Sequence, residues 1–317
     1  MFDTANGSSG KSKTSIVRIG VEERQRESAL REKFADFWRS ATGDIRSIYD
    51  SFVSASPIAE EVVFEAVEQS GIHGWWVRPV QSGKTHTRAI LYIHGGGYVL
   101  GSATAYRGFV SQLVGRTGVP AFVIDYPLAP EAILPSAPEA ALEAWNWLVT
   151  QGFKQIAIVG DSAGGGLALV TLAELTKESR DVSPIAGLAF SPWTDLTFTG
   201  ASMKDPSITD PLISYEYLQD CAHKYLGAVD AGNPLASPLF GHMNNLPPVL
   251  IQVGTDERLL DDSRQYAERA MTAGVSVQLE IWEGMHHVFQ LDVAHLESSR
   301  RALDHAADFL VNAFRHK

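Results

Sequence analysis

Cysteine is nearly absent from this chain: Cys221 is the only one among 317 residues. No intramolecular disulfide can form, so the fold must rest on its hydrophobic core, and a reducing compartment is permitted. Positive charge is also scarce. Lys and Arg number 26 against 37 Asp and Glu, a formal net charge of −11. That balance argues against nucleic acid or an anionic membrane as partner, since both call for a basic surface. No apolar run approaches the roughly 20 residues of a membrane-spanning helix, so no stable membrane anchoring is expected. Residues 1–15 are polar and lack the apolar core of a secretory signal. Together these absences favour a cytoplasmic protein. No period of 20–50 residues recurs, which excludes a solenoid. No cluster has metal-ligand spacing, and His286 and His287 are too close for a helical or strand pair of ligands. Neither a metal nor an organic cofactor is expected.

What is present is an ordinary globular composition, 45% apolar and 20% charged, sufficient for one large α/β domain or two small ones. Residues 1–14 are rich in Gly, Ser and Lys and read as disordered. Residues 21–53 carry Leu30, Phe34, Phe37, Trp38, Ile45, Ile48, Tyr49 and Phe52 at helical spacing with a break at Gly43, which predicts two amphipathic helices. Segments 61–68 and 72–80 predict a hairpin around Ser70-Gly71. From Ala89 onward, short apolar runs alternate with helical patterns. That pattern predicts about eight strands in a mostly parallel sheet with helices on both faces. The stretches 1–55 and 195–230 do not fit the sheet. They are read together as a helical cap over the carboxyl ends of the strands, with 56–194 and 231–317 as the core.

The chain is organised around residues 156–166. Ile156-Ala157-Ile158-Val159 reads as a buried strand and Leu167–Leu175 as a helix. Between them lies G-x-S-x-G: Gly160, Ser162, Gly164. Small residues permit a tight strand-to-helix corner that exposes the central hydroxyl, with the positive end of the helix behind it. A second glycine-rich turn, His94-Gly95-Gly96-Gly97, follows another strand about 65 residues earlier. Its amides could face a ligand without Cβ interference. A serine nucleophile needs a base, and that base needs an orienting carboxylate. Seven of the ten histidines follow Ser162. Of these, His223, His242, His295, His305 and His316 occupy the cap region, a position before the penultimate strand, or the terminal helix and its end. His286 and His287 lie in a loop just after a strand, where a base belongs. The acid is expected after the strand ending at Val253-Gly254, where Asp256 and Glu257 are adjacent candidates. Asp261 and Asp262 read more simply as helix N-terminal carboxylates meeting the dipole.

The motifs as a set resemble the bacterial hormone-sensitive-lipase family of α/β-hydrolase carboxylesterases, its GDSAG branch. The matching residues are HGGG at 94–97, Asp125-Tyr126-Pro127-Leu128-Ala129-Pro130-Glu131, GDSAGG at 160–165, Ser191-Pro192-Trp193-Thr194-Asp195-Leu196, Ser237-Pro238-Leu239 and His287-Val288-Phe289. The resemblance spans residue 60 to the end. It implies Ser162 as nucleophile and selects His287 over His286 as base. Its spacing of an acid, Leu two residues on and Asp four on picks Glu257, with Leu259 and Asp261, over Asp256. A Glu there departs from the commoner Asp. A second departure is Pro127, where the family tends to have Arg. The resemblance also implies an oxyanion hole of the Gly96, Gly97 and Ala163 amides, with Gly95 less suited and His94 bracing the loop. The implied activity is hydrolysis of a small-molecule carboxylic ester with a short acyl chain. A lactone or amide hydrolase on the same residues is the alternative. A non-catalytic small-ligand receptor on this fold is a further alternative of another class. The sequence leaves the oligomeric state open, a homo-oligomer included.

Overall fold

The apolar runs become strands whose alternate residues face two separate cores. A computed structural model describes residues 12–69, 71–81 and 87–315. In β4 (Arg88–Ile93), Ala89, Leu91 and Ile93 enter one core while Ile90 and Tyr92 enter the other. β6 (Gln155–Asp161) does the same, with Ile156 and Ile158 on one face and Ala157 and Val159 on the opposite one. Strands buried on both faces are what continuous β-branched runs encode. The helices that cover them are α3 (Ala103–Thr117) and α8 (Glu297–Arg315) on one side. On the other lie α4 (Ser136–Thr150), α5 (Ser162–Thr176) and α7 (Leu260–Thr272).

The remaining strands are β1 (Lys13–Val17), β2 (Val62–Gln69), β3 (Ile72–Pro79), β5 (Ala121–Ile124), β7 (Ala186–Phe190), β8 (Val249–Gly254) and β9 (Val277–Trp282). Among the described residues the sheet has nine strands, in the order β1-β9-β8-β7-β6-β4-β5-β3-β2. Only the β2–β3 and β3–β5 pairs are antiparallel. The hairpin therefore forms one edge, as its sequence predicts. The strand order turns back at β4, which pairs with both β5 and β6. A crevice opens at the carboxyl ends of strands at such a reversal, where ligands bind in open α/β sheets. Both glycine motifs emerge there, since Ile93 and Gly160 are register partners.

Two elements depart from the expectation. The ninth strand, β1, pairs in parallel with β9 from Lys13↔Gln278 to Val17↔Trp282. Residues 13–17 thus belong to the sheet, neither to the cap nor to a disordered segment; the rest of that disordered call, residues 1–11, lies outside the described residues. Ser12 seals the junction by donating to Val275 O at 3.1 Å and accepting from Val277 N at 3.2 Å. The second addition is α3, in a stretch where the sequence predicts no helix. Ser102 caps it by accepting from Ala105 N, and Gly118 ends it in the left-handed region.

Three further helices lie outside this two-layer frame: α1 (Val21–Ser40), α2 (Ile45–Val53) and α6 (Tyr215–Leu226). The break between α1 and α2 falls at the expected Gly43, and Asp44 starts α2 by accepting from Ser47 N at 2.9 Å. Arg46 ties α2 to the core. Its guanidinium donates to Glu131 and to the carbonyls of Val99 and Ala129. Glu131 thus finds a cation in α2 although Pro127 replaces the arginine common in the family. Among the described residues no helix is long and apolar enough to cross a membrane.

Candidate active site

Ser162 stands at the joint between β6 and α5 with a φ of +53°, a left-handed conformation that costs a non-glycine residue energy and persists only where its surroundings enforce it. The flanking glycines permit the tight packing around it. A Cβ on Gly164 would lie 2.2 Å from the carbonyl oxygens of Ile93 and His94, and one on Gly160 would lie 2.3 Å from Gly164 O. The corner can therefore press against the end of β4 only with glycine at both positions. This close approach brings the His94–Gly97 turn beside the serine.

The structure brings Ser162, His287 and Glu257 into one chain of contacts. Ser162 Oγ lies 2.9 Å from His287 Nε2, and His287 Nδ1 lies 3.1 Å from Glu257 Oε1. Glu257 is fully buried. Its other oxygen, Oε2, accepts from Ser191 Oγ at 2.7 Å and from Gly254 N at 2.8 Å. The Ser191 hydroxyl in turn accepts from Val288 N at 3.1 Å, joining the loop of the acid to the loop of the histidine. Burial of His287 disfavours its charged form. The hydrogen bond and charge of Glu257, followed by Asp210 and Asp161, outweigh that and raise its pKa above the ordinary imidazole value.

Asp256 is turned away. Its carboxylate accepts from Thr255 Oγ1 at 2.8 Å and from Arg31 Nη2 at 3.3 Å, and its side chain is 41% exposed. Asp261 and Asp262 hold backbone, accepting from Ser202 N and from the amides of Thr194 and Asp195. His286 is fully buried, packs against the Phe34 ring and has both ring nitrogens facing carboxylates, Glu27 and Asp292. His305 pairs with Glu280 near the surface, and His316 lies outside the described residues.

The glycine turn lies beside the serine. Gly96 and Gly97 have φ of +113° and +63°, and both line the cavity beside Ser162. Neither amide has a protein acceptor among the described residues. Ala163 is the second residue of α5, where a helix offers its N–H no internal acceptor. Gly95 differs, because its amide donates to Asp161 Oδ1 at 3.0 Å. His94 braces the loop: Nδ1 lies 2.8 Å from Gly95 O and the ring stacks on Tyr126 at 4.5 Å. Burial lowers its pKa, against the raising effect of the Gly95 carbonyl.

Two positioning groups carry no role in the sequence reading. Asp161 accepts from Tyr92 OH, Tyr106 OH and Gly95 N, strapping the glycine turn to the serine corner. Burial raises its carboxyl to about 6 against the lowering effect of those donors. Ser191 is the other. Both lie inside motifs at the carboxyl ends of strands, which was the available signal; only the fold shows what each one reaches.

Above the serine is a cavity of about 410 Å3. Trp38 and Phe52 line it from α1 and α2, and Leu212 and Tyr217 from residues 210–218. Its walls are mainly apolar, with Asp210 as a polar exception.

A family model for the α/β-hydrolase fold matches residues 90–291. Well over half of the chain lies in that match, and the protein is an α/β hydrolase. It is similar to an esterase of Acinetobacter venetianus, 35% identical over 272 residues that span 85% of this chain and 88% of the relative. It is also similar to an acetyl-hydrolase of Streptomyces hygroscopicus, 39% identical over 241 residues, 75% of this chain and 79% of that one. Among solved structures, it superposes on an esterase from the bacterial hormone-sensitive lipase family with a TM-score of 0.84 and 33% identity, covering 91% of this chain and 98% of that chain. EstE5, in crystals soaked with p-nitrophenyl butyrate, gives a TM-score of 0.82 and 33% identity over 92% of this chain and 99% of that one. The chain belongs to the bacterial hormone-sensitive-lipase family of esterases and is a carboxylic ester hydrolase.

Proposed function

We propose that the protein hydrolyses carboxylic esters of short acyl chain through an acyl-enzyme on Ser162. The observation that carries this reading is the 2.9 Å contact of Ser162 Oγ with His287 Nε2 at the base of a mainly apolar cavity. With Nδ1–H held by Glu257, the Nε2 lone pair is free to take the serine proton as Oγ attacks the ester carbonyl. The amides of Gly96, Gly97 and Ala163 stabilise the oxyanion, and the positive end of α5 adds to them. His287 then protonates the departing alcohol, and a water activated by the same imidazole releases the acid. Residues 18–55 and 195–230 act as one cap that sets acyl specificity. In support, Trp38, Phe52, Leu212 and Tyr217 face a single cavity, and its 410 Å3 lies toward the small end of ligand pockets. The relative EstE5 was soaked with a butyrate ester.

A series of p-nitrophenyl esters tests the substrate reading. kcat/KM is expected to peak at acetate to hexanoate and to fall at least tenfold by dodecanoate. A maximum at dodecanoate, or turnover only of lactones or amides, would reject it.

The base assignment sets a pH profile. Neutral His287 is required, and its pKa is raised by Glu257. kcat/KM is therefore low in acid and rises with pH through a midpoint above the ordinary value of about 6.5. In Glu257→Gln the residual activity should show that midpoint moved down. A midpoint below 6 in the unmodified enzyme would contradict the assignment.

A further inference from the structure

One turn of α1 reaches three loops around the site. Glu27 and Arg31 are four residues apart on the helix, and their side chains pair at 2.5 Å. Glu27 Oε1 also lies 2.9 Å from His286 Nδ1, and His286 Nε2 lies 3.0 Å from Asp292 Oδ2. Arg31 donates through Nη1 to Thr209 O at 2.7 Å and through Nη2 to Asp256 Oδ2 at 3.3 Å. Each loop contact falls one residue before a group of the site. His286 precedes His287, Asp256 precedes Glu257, and Thr209 precedes Asp210, which lines the cavity.

We propose that Glu27 and Arg31 are a positioning couple for ester hydrolysis, holding the loops of His287, Glu257 and Asp210 in the register that keeps the Ser162–His287–Glu257 chain closed. This rests on the roles given above to those three residues. The couple touches neither substrate nor reacting atoms. It acts through the backbone of the neighbouring residues.

The chemistry at His286 shows how firm the link is. A ring with a carboxylate oxygen on each nitrogen bonds to both only as the imidazolium, which has two donors. Burial opposes that charge, but the hydrogen bonds and charges of Asp292 and Glu27 overcome it and push the group up to about 9. The groups facing it are Glu27 and the edge of Phe34 from α1, and Asp292 from the 289–292 turn. Arg31 stands behind Glu27, and on its own loop His287 follows with Glu257 beyond. Buried ionic contacts contribute little net stability over apolar packing, so the role assigned to these is to join α1 to the loops rather than to stabilise the fold. Geometry matters here, because a displacement of about 1 Å originating far from the chemistry can cost roughly 100-fold in rate.

The test uses the full chain and p-nitrophenyl butyrate, with fluorophosphonate labelling of Ser162 as an independent check. Arg31→Met and Glu27→Gln are expected to lower kcat about 10- to 100-fold with KM within about threefold, while Ser162 still labels. Arg39→Met, which breaks only an exposed pair at the end of the same helix, should match the unmodified enzyme. That enzyme should lose activity as pH rises past about 9, because deprotonated His286 can no longer donate to both carboxylates. His286→Gln, which has nothing to titrate, should show a lower plateau without the alkaline fall. If the unmodified enzyme labels and turns over but Arg31→Met and Glu27→Gln keep kcat within twofold, the couple is overturned and the esterase reading stands. An unmodified enzyme flat to pH 10.5 overturns it equally, even if the variants fail to fold. An unmodified enzyme that neither labels nor turns over overturns the roles on which the couple depends.

Discussion

Ser162→Ala is expected to lower ester turnover by about 10⁴- to 10⁶-fold, the range that loss of a serine nucleophile produces in such relays. The fold should survive. Among the described residues the only side-chain hydrogen bond of Ser162 is with His287, and the close packing at Gly160 and Gly164 is left alone by the substitution. Alanine fits the same corner without a new Cβ. Thermal unfolding should therefore coincide with that of the unmodified protein while kcat collapses, and fluorophosphonate labelling should vanish. Turnover within tenfold of the unmodified enzyme would remove the nucleophile assignment.

Glu257→Gln is expected to cost about 10⁴ in kcat, roughly 5.4 kcal/mol of transition-state stabilisation. The hydrogen bonds around this carboxylate explain why so small a change is so damaging. Ser191 Oγ and Gly254 N both donate to Oε2, so the amide oxygen of the variant must take that position. Its NH2 group then faces His287 Nδ1 and forces the proton onto Nε2, which can no longer accept from Ser162. Asp256→Asn leaves this arrangement intact. It weakens one outward contact with Arg31 and should keep kcat within about tenfold, at most ~1.4 kcal/mol. Steady-state kinetics of the two variants decides between the neighbouring carboxylates. Near-normal activity in Glu257→Gln beside an inactive Asp256→Asn would reverse the assignment.

The parts of the fold legible in the sequence are those encoded by neighbours. β4 and β6 are continuous β-branched or apolar runs, and the serine corner is announced by glycines whose spacing answers a local steric demand. The hairpin of β2 and β3 and the break between α1 and α2 are equally local. α3 was hidden for a different reason. It is buried against the sheet on one side and α8 on the other, so it shows no single apolar stripe. β1 lies in a polar stretch, and its partner is about 265 residues away, beyond any periodicity. At the site, the residue types and their order along the chain were readable. The adjacency of Asp256 and Glu257 was not resolved by chemistry alone, and only the spacing shared with the family favoured Glu257. His286 illustrates the limit. Its two carboxylate partners come from α1 and from the following turn, and nothing beside it in the sequence marks it as charged.

The pairing of β1 with β9 has a consequence for biosynthesis. Residues emerge from the ribosome in order, and domains ordinarily begin to fold from the first part released. Here β1 has no sheet partner among the described residues until 277–282 are made. The helix that follows it likewise waits for Asp256, His286 and Asp292. During translation α1 must carry its apolar face, Leu30 and Phe34, without the Met285 and Phe289 that later cover it. A nascent chain halted before β9 would hold Ser162 and the glycine turn but neither the partner of β1 nor His287, so the contact that carries the proposed chemistry could not yet form.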